Sequence, residues 1–320
     1  MLKDKTIVVT GASSGAGKAI ALEFALQQPK LVLASRNINA LNEVADECRS
    51  LGAKVKVVVT DVTETSAMVQ LANEAHVFGG SIDVWVNNAG LLAAGQFEET
   101  PMAVHQQVIE TNLIGYMNGA HAILPYFKKQ NYGVLINNIS IGGFLPVPFG
   151  VGYSASKFGL RGFSSALKAE LSNRPGIHVC DVFPAFLDTP GIQHAANYTG
   201  KYLKPAPPVY DPRRVAMAIV KLAEKPRPEV MVGSLSSLLR VSYSLFPGLT
   251  RGITSKVISY YLNHADTMPK SDGNVFGPVD YGNSVYGGWG LPGRPKAHRK
   301  YIAASLLLVA AAGFLALREK

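Results

Sequence analysis

At 320 residues the chain can hold one large α/β domain plus an appendage, or two modest domains. Hydrophobic residues make up 48% and charged residues 17%, which excludes a disordered chain. The net charge is +9, but residues 1–230 carry 21 Lys/Arg against 18 Asp/Glu, whereas residues 231–320 carry 10 against 4.

The basic excess therefore sits mostly in the last 90 residues, beside the most apolar run. That placement suits an anionic membrane surface. No zinc-finger spacing or aromatic nucleic-acid motif accompanies it, so a nucleic-acid partner is not expected. Cys48 and Cys180 lie far apart and read as reduced thiols of a cytosolic protein. The seven histidines form no ligand spacing, and no metal is expected. Met1 to Lys5 leads straight toward a strand without a charged-then-apolar leader, so the enzyme part is expected to stay unsecreted.

In chain order, short β-rich runs fall at residues 6–9, 31–34, 54–59, 83–86, 134–137, 178–182 and 229–232. Helical spacing fills most intervals, at 37–51, 64–78, 101–129, 151–173 and 211–224. Strand–helix alternation without hairpin signals predicts an α/β fold with a doubly wound parallel sheet of about seven strands. After residue 233 the character changes. Two amphipathic helices are expected at 234–245 and 250–262, broken at Pro247-Gly248. A Gly-, Asn- and Pro-rich stretch at 263–295 then reads as an ordered loop or a linker.

The first βα turn is Thr10-Gly11-Ala12-Ser13-Ser14-Gly15-Ala16-Gly17. Glycines at a strand's end let backbone N–H groups approach a pyrophosphate at the helix N-terminus. The spacing is G-x-x-x-G-x-G, and by itself such a turn serves structure as often as binding. The second strand ends in Ser35-Arg36, with no carboxylate. A basic residue there accommodates a 2′-phosphate, although Arg36 alone could be a solvated loop residue. Tyr153 and Lys157, at i and i+4, share a helix face. A neighbouring ammonium should lower the phenol's pKa and poise Tyr153 for proton transfer.

These motifs together resemble the short-chain dehydrogenase/reductase family. The turn, Asn87-Asn88-Ala89-Gly90, Ser140 and the Tyr153/Lys157 pair occur in the family's order over roughly residues 4–233. The resemblance implies that Tyr153 is the acid–base, with Lys157 lowering its pKa and holding the nicotinamide ribose. Ser140 would polarise a substrate carbonyl, and Asn112 would organise a proton-relay water. Gly11, Ser13, Ser14, Gly15, Ala16 and Gly17 would cradle the phosphates of NADP(H), with Ser35 and Arg36 at the 2′-phosphate. Asp61 and Val62 would flank the adenine, Asn88, Ala89 and Gly90 would line the ribose side, and Pro184 and Thr189 would meet the nicotinamide end. Two departures stand out: Ala185 replaces the family's usual Gly after Pro184, and Ala16 its usual Ile.

The expected function is hydride transfer between nicotinamide and a lipophilic carbonyl or secondary alcohol. A catalytically silent nucleotide-binding scaffold at a membrane is the alternative, which the complete Ser140–Tyr153–Lys157 set disfavours. Phe144, Leu145, Phe149, Phe186, Tyr198 and Tyr202 suggest an apolar substrate pocket. A catalytic domain is expected over 1–233, an extension over 234–300 and a C-terminal transmembrane anchor over 301–317. The anchor run has 17 uncharged residues, at the short end of a spanning helix. Four cations precede it (Arg294, Lys296, Arg299, Lys300) and two follow (Arg318, Lys320), which favours a cytoplasmic catalytic side. A homo-oligomer is compatible with the same tail.

Overall fold

The alternating strand pattern is realised as one parallel sheet. The computed structural model describes residues 2–289. Strands β1 (Thr6–Thr10), β2 (Lys30–Ser35), β3 (Lys54–Val59), β4 (Val84–Asn87), β5 (Gly133–Asn138), β6 (Ile177–Pro184) and β7 (Glu229–Val232) are joined through seven helices. These are α1 (Gly15–Ala25), α2 (Ile38–Ser50), α3 (Thr65–Gly79), α4 (Met102–Ile109), α5 (Gly115–Gln130), α6 (Val151–Glu170) and α7 (Arg213–Glu224). The strand order is β3-β2-β1-β4-β5-β6-β7, so the winding direction reverses between β1 and β4. In register, Val8 faces Val32 on one side and Trp85 on the other.

Successive strand residues point to opposite faces, and here both faces are covered. Ile7, Val9, Leu31 and Leu33 meet α1, α2 and α7 on one side. Val8, Val32, Trp85 and Leu135 meet α3, α5 and α6 on the other. Each such side chain is fully buried and contributes about 1.5–3 kcal/mol relative to exposure. Both cysteines lie inside as free thiols, and burial pushes their pKa values up, to about 12 for Cys48 and about 11 for Cys180.

The helical region expected over 101–129 is divided by a π turn at Glu110–Ile114. The last two helices, α8 (Ser234–Leu245) and α9 (Pro247–His264), match the expected pair, except that Pro247 starts the second helix. Proline suits that first position because its missing N–H has no intrahelical acceptor there. Their outer faces expose Val241, Leu245, Phe246, Leu249, Val257 and Tyr260. Among the described residues no helix is long and apolar enough to cross a membrane. The proposed anchor at 301–317 lies outside the described residues.

Beyond α9 the chain does not trail away as a linker. Residues 265–289 return over the C-terminal edge of the sheet. Asn197 and Ser271, and Lys201 and Thr267, form isolated antiparallel bridges. Val275 is fully buried among Leu91, Ala93, Val104, Val108 and Ala196.

Candidate active site

The topological reversal beside β1 leaves a crevice at the carboxyl ends of the strands, where open α/β sheets take ligands. The glycine turn forms one wall. Gly11 and Gly15 have φ of +64° and +53°, in the left-handed region where a Cβ is costly. At Gly17 the need is space: a Cβ would lie 1.9 Å from the Gly11 carbonyl oxygen. The α1 N-terminus thus sits directly on the strand end. Ser13, Ser14 and Ala16 remain half-buried and Gly90, across the crevice, is exposed. The first N–H groups of a helix lack intrahelical partners and carry its positive end. The Gly15 N–H is taken by the Ser284 carbonyl at 2.9 Å, and the N–H groups of Ala16 and Gly17 leave an opening that fits a dinucleotide pyrophosphate.

At the adenosine end, Arg36 is half-buried just past β2. Asp61 accepts from the backbone N–H and hydroxyl of Thr63 at 3.0 and 2.8 Å, an Asx turn. Val62 is buried, and Asn118 pins the loop by donating to the Val62 and Thr63 carbonyls. Asn88 departs from the expected ribose contact. Its amide donates to the Thr10 and Gly11 carbonyls at 3.1 and 3.2 Å and accepts from Asn138 at 2.9 Å. The side chain braces the glycine turn against β5 and the backbone N–H donates to the Thr10 hydroxyl at 3.0 Å, so what the Asn88 backbone can offer a ligand is its carbonyl.

Helix α6 carries Tyr153 and Lys157 toward the same edge. The Tyr153 ring and the Ser140 hydroxyl meet at Gly142, where a Cβ would lie 2.9 Å from the ring and 3.6 Å from the Ser140 Oγ, and that Oγ accepts from the Gly142 N–H at 3.2 Å. Ser140 adopts φ of +107°, a conformation costing on the order of 1–3 kcal/mol for a residue with a Cβ. The turn Ile141–Gly143 needs small residues, because a Cβ on Gly142 would lie 2.9 Å from the Tyr153 ring. Lys157 Nζ lies 5.7 Å from the Tyr153 ring centroid and 5.2 Å from that of Tyr116.

Electrostatics here runs against the expected lowering of the phenol. Burial pushes the Tyr153 pKa up, with the neighbouring Ser140 hydroxyl pulling the other way. Burial also depresses the Lys157 ammonium to about 7. Two buried groups each disfavour charge, and neither benefits from solvent. The chain alone keeps the phenol neutral and leaves the lysine only about half charged at pH 7, and an anionic ligand would restore the lysine's charge.

This depression has a measurable consequence. Lys157 titrates near 7 in the folded chain and near 10.5 in the unfolded one, so the unfolded state binds more protons between those values. Its contribution therefore makes stability rise with pH in that window, by up to about 1.4 kcal/mol per pH unit, and leaves it flat below. Urea melts of the cofactor-free protein should show this rise in the wild type and lose it in Lys157→Met. Parallel pH profiles of the two would refute the buried ammonium.

Asn112 is fully buried in the π turn. Its amide donates to the Leu91 carbonyl and the Ser156 hydroxyl and accepts the Leu91 N–H, at 2.9, 3.2 and 2.7 Å. It fixes the loop after Gly90, through which any action on a water would have to pass. Beneath the site, Asn87 links the Trp85 indole, the Tyr116 carbonyl and Asn137. Pro184 ends β6, and Ala185 bonds to Val232 at 3.0 Å with its side chain buried. Thr189 reaches the glycine turn, its Cβ 3.3 Å from where Gly15 would carry one.

The aromatic residues divide. Tyr198 packs with Tyr153 against one apolar cluster, and Tyr202 faces Trp289 with centroids 6.3 Å apart. Phe144 does not join them. It packs on Phe183 and lies 4.4 Å from each of the Arg161 and Arg240 guanidinium carbons, fastening α8 to α6. Sequence reasoning missed Asp188, in the loop after β6, where it accepts from Gly287 and Trp289, and Asn274, which the returning segment brings to this edge. Aromatic residues at 276, 281, 286 and 289 amid the glycines were the available signal. Among the described residues no group of side chains could hold a metal ion.

The fold and comparisons with known proteins define a nicotinamide-dependent oxidoreductase. The short chain dehydrogenase description matches residues 5–198, more than half the sequence. The chain belongs to the short-chain dehydrogenase/reductase family. It is 32% identical over 270 residues to an uncharacterized oxidoreductase, YxnA, of Bacillus subtilis, covering 83% of this chain and 75% of that one. It is 32% identical over 201 residues to estradiol 17-beta-dehydrogenase 11 of Mus musculus, covering 62% and 67%. A similar solved structure is an alcohol dehydrogenase from Thermococcus sibiricus complexed with 5-hydroxy-NADP. It has a TM-score of 0.63 at 27% identity and covers 72% of this chain and 97% of its own. A metagenomic short-chain oxidoreductase in complex with NADP gives 0.62 at 27% identity, with the same coverage.

Proposed function

We propose that the protein is an NADP(H)-dependent oxidoreductase that interconverts a lipophilic carbonyl compound and its secondary alcohol. The observation that carries this reading is the meeting of the Tyr153 ring and the Ser140 hydroxyl at Gly142, with Lys157 beside the phenol and the glycine turn across the crevice. Bound NADP(H) would supply or accept the hydride. Tyr153 would donate its proton to the developing alkoxide in reduction and take it back in oxidation. Ser140 would hold the substrate oxygen, and a charged Lys157 would stabilise the phenolate left behind. Arg36 would meet the 2′-phosphate that separates NADP from NAD. Tyr198 beside Tyr153, and Tyr202 on Trp289, favour an apolar substrate.

The test is a panel of ketones, aldehydes and secondary alcohols of graded lipophilicity, followed by NADPH absorbance. Turnover rising with apolar bulk is expected. Turnover confined to small polar substrates would reject the lipophilic class, and no turnover in either direction would favour a silent scaffold.

We also propose that the protein sits on an anionic membrane with its catalytic side in the cytoplasm. Supporting this, the exposed apolar residues of α8 and α9 share their helices with Arg240, Arg251 and Lys256, and no acidic residue occurs between Glu229 and Asp266. The uncharged run at 301–317 would provide the anchor. Full-length protein should stay in the membrane pellet through a carbonate wash, and a form lacking 300–320 should come off. Full-length protein in the soluble fraction without detergent would reject the anchor.

A further inference from the structure

We propose that residues 271–289 form a strap that completes the cofactor site, holding Arg36 in position and retaining the dinucleotide; this rests on the reading of the crevice as the NADP(H) site. The strap touches that crevice at three points along its length. At the adenosine end, Arg36 donates to the carbonyls of Asn274 and Val275 at 2.7 and 3.4 Å, and Asn37 donates to that of Val279 at 3.1 Å. At the glycine turn, the Gly15 N–H donates to the Ser284 carbonyl at 2.9 Å. At the nicotinamide end, the N–H groups of Gly287 and Trp289 both donate to Asp188, at 3.0 and 2.8 Å, and the Trp289 indole donates to the Thr189 carbonyl at 3.3 Å.

The chemistry of the Arg36 contacts distinguishes positioning from neutralisation. A guanidinium has five N–H donors in a fixed plane. Two are taken by carbonyls, which orient the plane while leaving its charge intact and three donors free. A carboxylate in the same place would have cancelled the charge that a 2′-phosphate needs. Ordering a long arginine side chain on binding costs affinity, and a strap that orders it beforehand removes that cost.

The strap is seated firmly enough for this role. Val275, whose carbonyl meets Arg36, is fully buried in the cluster against which Tyr153 packs. Its backbone also lies too close to the loop after β6 to admit side chains. A Cβ at Gly273 would be 2.2 Å from the His194 carbonyl oxygen, and one at Gly287 would be 2.4 Å from that of Thr189. The family match ends at residue 198, so the strap belongs to the part of the chain beyond it. Beneath the strap, Gly90 stays exposed, and Asn88 and Ala89 stay half-buried.

Two measurements test the proposal. In Gly287→Val the new side chain has no room against Thr189 and should unseat the strap's end. Stopped-flow fluorescence should then show NADPH leaving at least tenfold faster than from wild type, with a matching rise in Kd. In the unaltered protein, NADPH should slow hydrogen exchange of the strap amides, Gly287 and Trp289 included, at least tenfold. This arm needs no variant to fold. Unchanged NADPH release in a folded Gly287→Val protein would overturn the proposal. So would faster exchange in the strap on adding NADPH, which is the behaviour of a plug that the cofactor displaces.

Running both arms with NADH separates this proposal from the cofactor reading. If wild type prefers NADH and Gly287→Val releases it faster, retention stands and the positioning of Arg36 for a phosphate falls. If wild type prefers NADPH and the variant releases it at the wild-type rate, the cofactor reading stands and the strap falls.

Discussion

Tyr153→Phe should lower kcat by a factor of about 10²–10⁴ on any substrate the wild type turns over, the usual worth of a positioned general acid–base. The substitution removes one hydroxyl and keeps the ring. The ring's contacts with the Leu91–Val275 cluster and its place beside Lys157 therefore persist. Ser140 keeps the hydrogen bond from the Gly142 N–H. NADPH affinity should change little, because the phenol oxygen faces Ser140 and the glycine turn and Arg36 are untouched. Single-turnover kinetics under saturating NADPH checks the chemical step directly. Full activity in the variant would remove Tyr153 from the mechanism.

Arg36→Ala should weaken NADPH about 10- to 100-fold and leave NADH nearly unaffected. The lost contact is charge-assisted and worth about 1.5–3 kcal/mol. The variant also frees the Asn274 and Val275 carbonyls; Asn274 is half-buried and its carbonyl can bond to water, and Val275 stays seated by its buried side chain. Fluorescence titration with each nucleotide gives the two affinities. Equal losses for both would mean that Arg36 acts through the general shape of the site. A wild-type preference for NADH would overturn the assignment of the 2′-phosphate to Arg36.

The seven strands were legible because each face of the sheet is buried by helices, which forces short apolar runs such as Ile7–Val9 and Leu31–Leu33 at regular intervals. The glycine turn and the Tyr153/Lys157 pair were legible because their geometry is local, one set by φ and close approach, the other by helical repeat. Asn88 shows where local reading stops: its amide is spent on Thr10 and Gly11, a use that depends on how β1 and β4 abut. Phe144 looked like pocket lining because it is aromatic and near Ser140. Its partners, Arg161 and Arg240, come from two helices no periodicity could bring together. The direction of the Tyr153 and Lys157 shifts likewise depends on burial, which spacing does not report. Residues 271–289 have no repeating pattern at all, and their placement is set by one buried valine, backbone hydrogen bonds and glycines without room for a Cβ.

Arg36 and Val275 are separated by 239 positions, and Gly15 and Ser284 by still more. During synthesis at ~5–20 residues per second, roughly 10–50 s elapse between the emergence of the two sides of the adenosine end. The glycine turn and β1 can pair with β2 and β4 in that interval, whereas α1 waits for α7 to cover it. The last wall of the crevice arrives only after all seven strands and α1 to α9 have been made. A nascent chain halted after β7 would carry the sheet, Tyr153 and Lys157, yet its arginine would swing free and its buried cluster would lack Val275. The sheet and the Tyr153/Lys157 pair thus depend on one part of the chain and the hold on Arg36 on another.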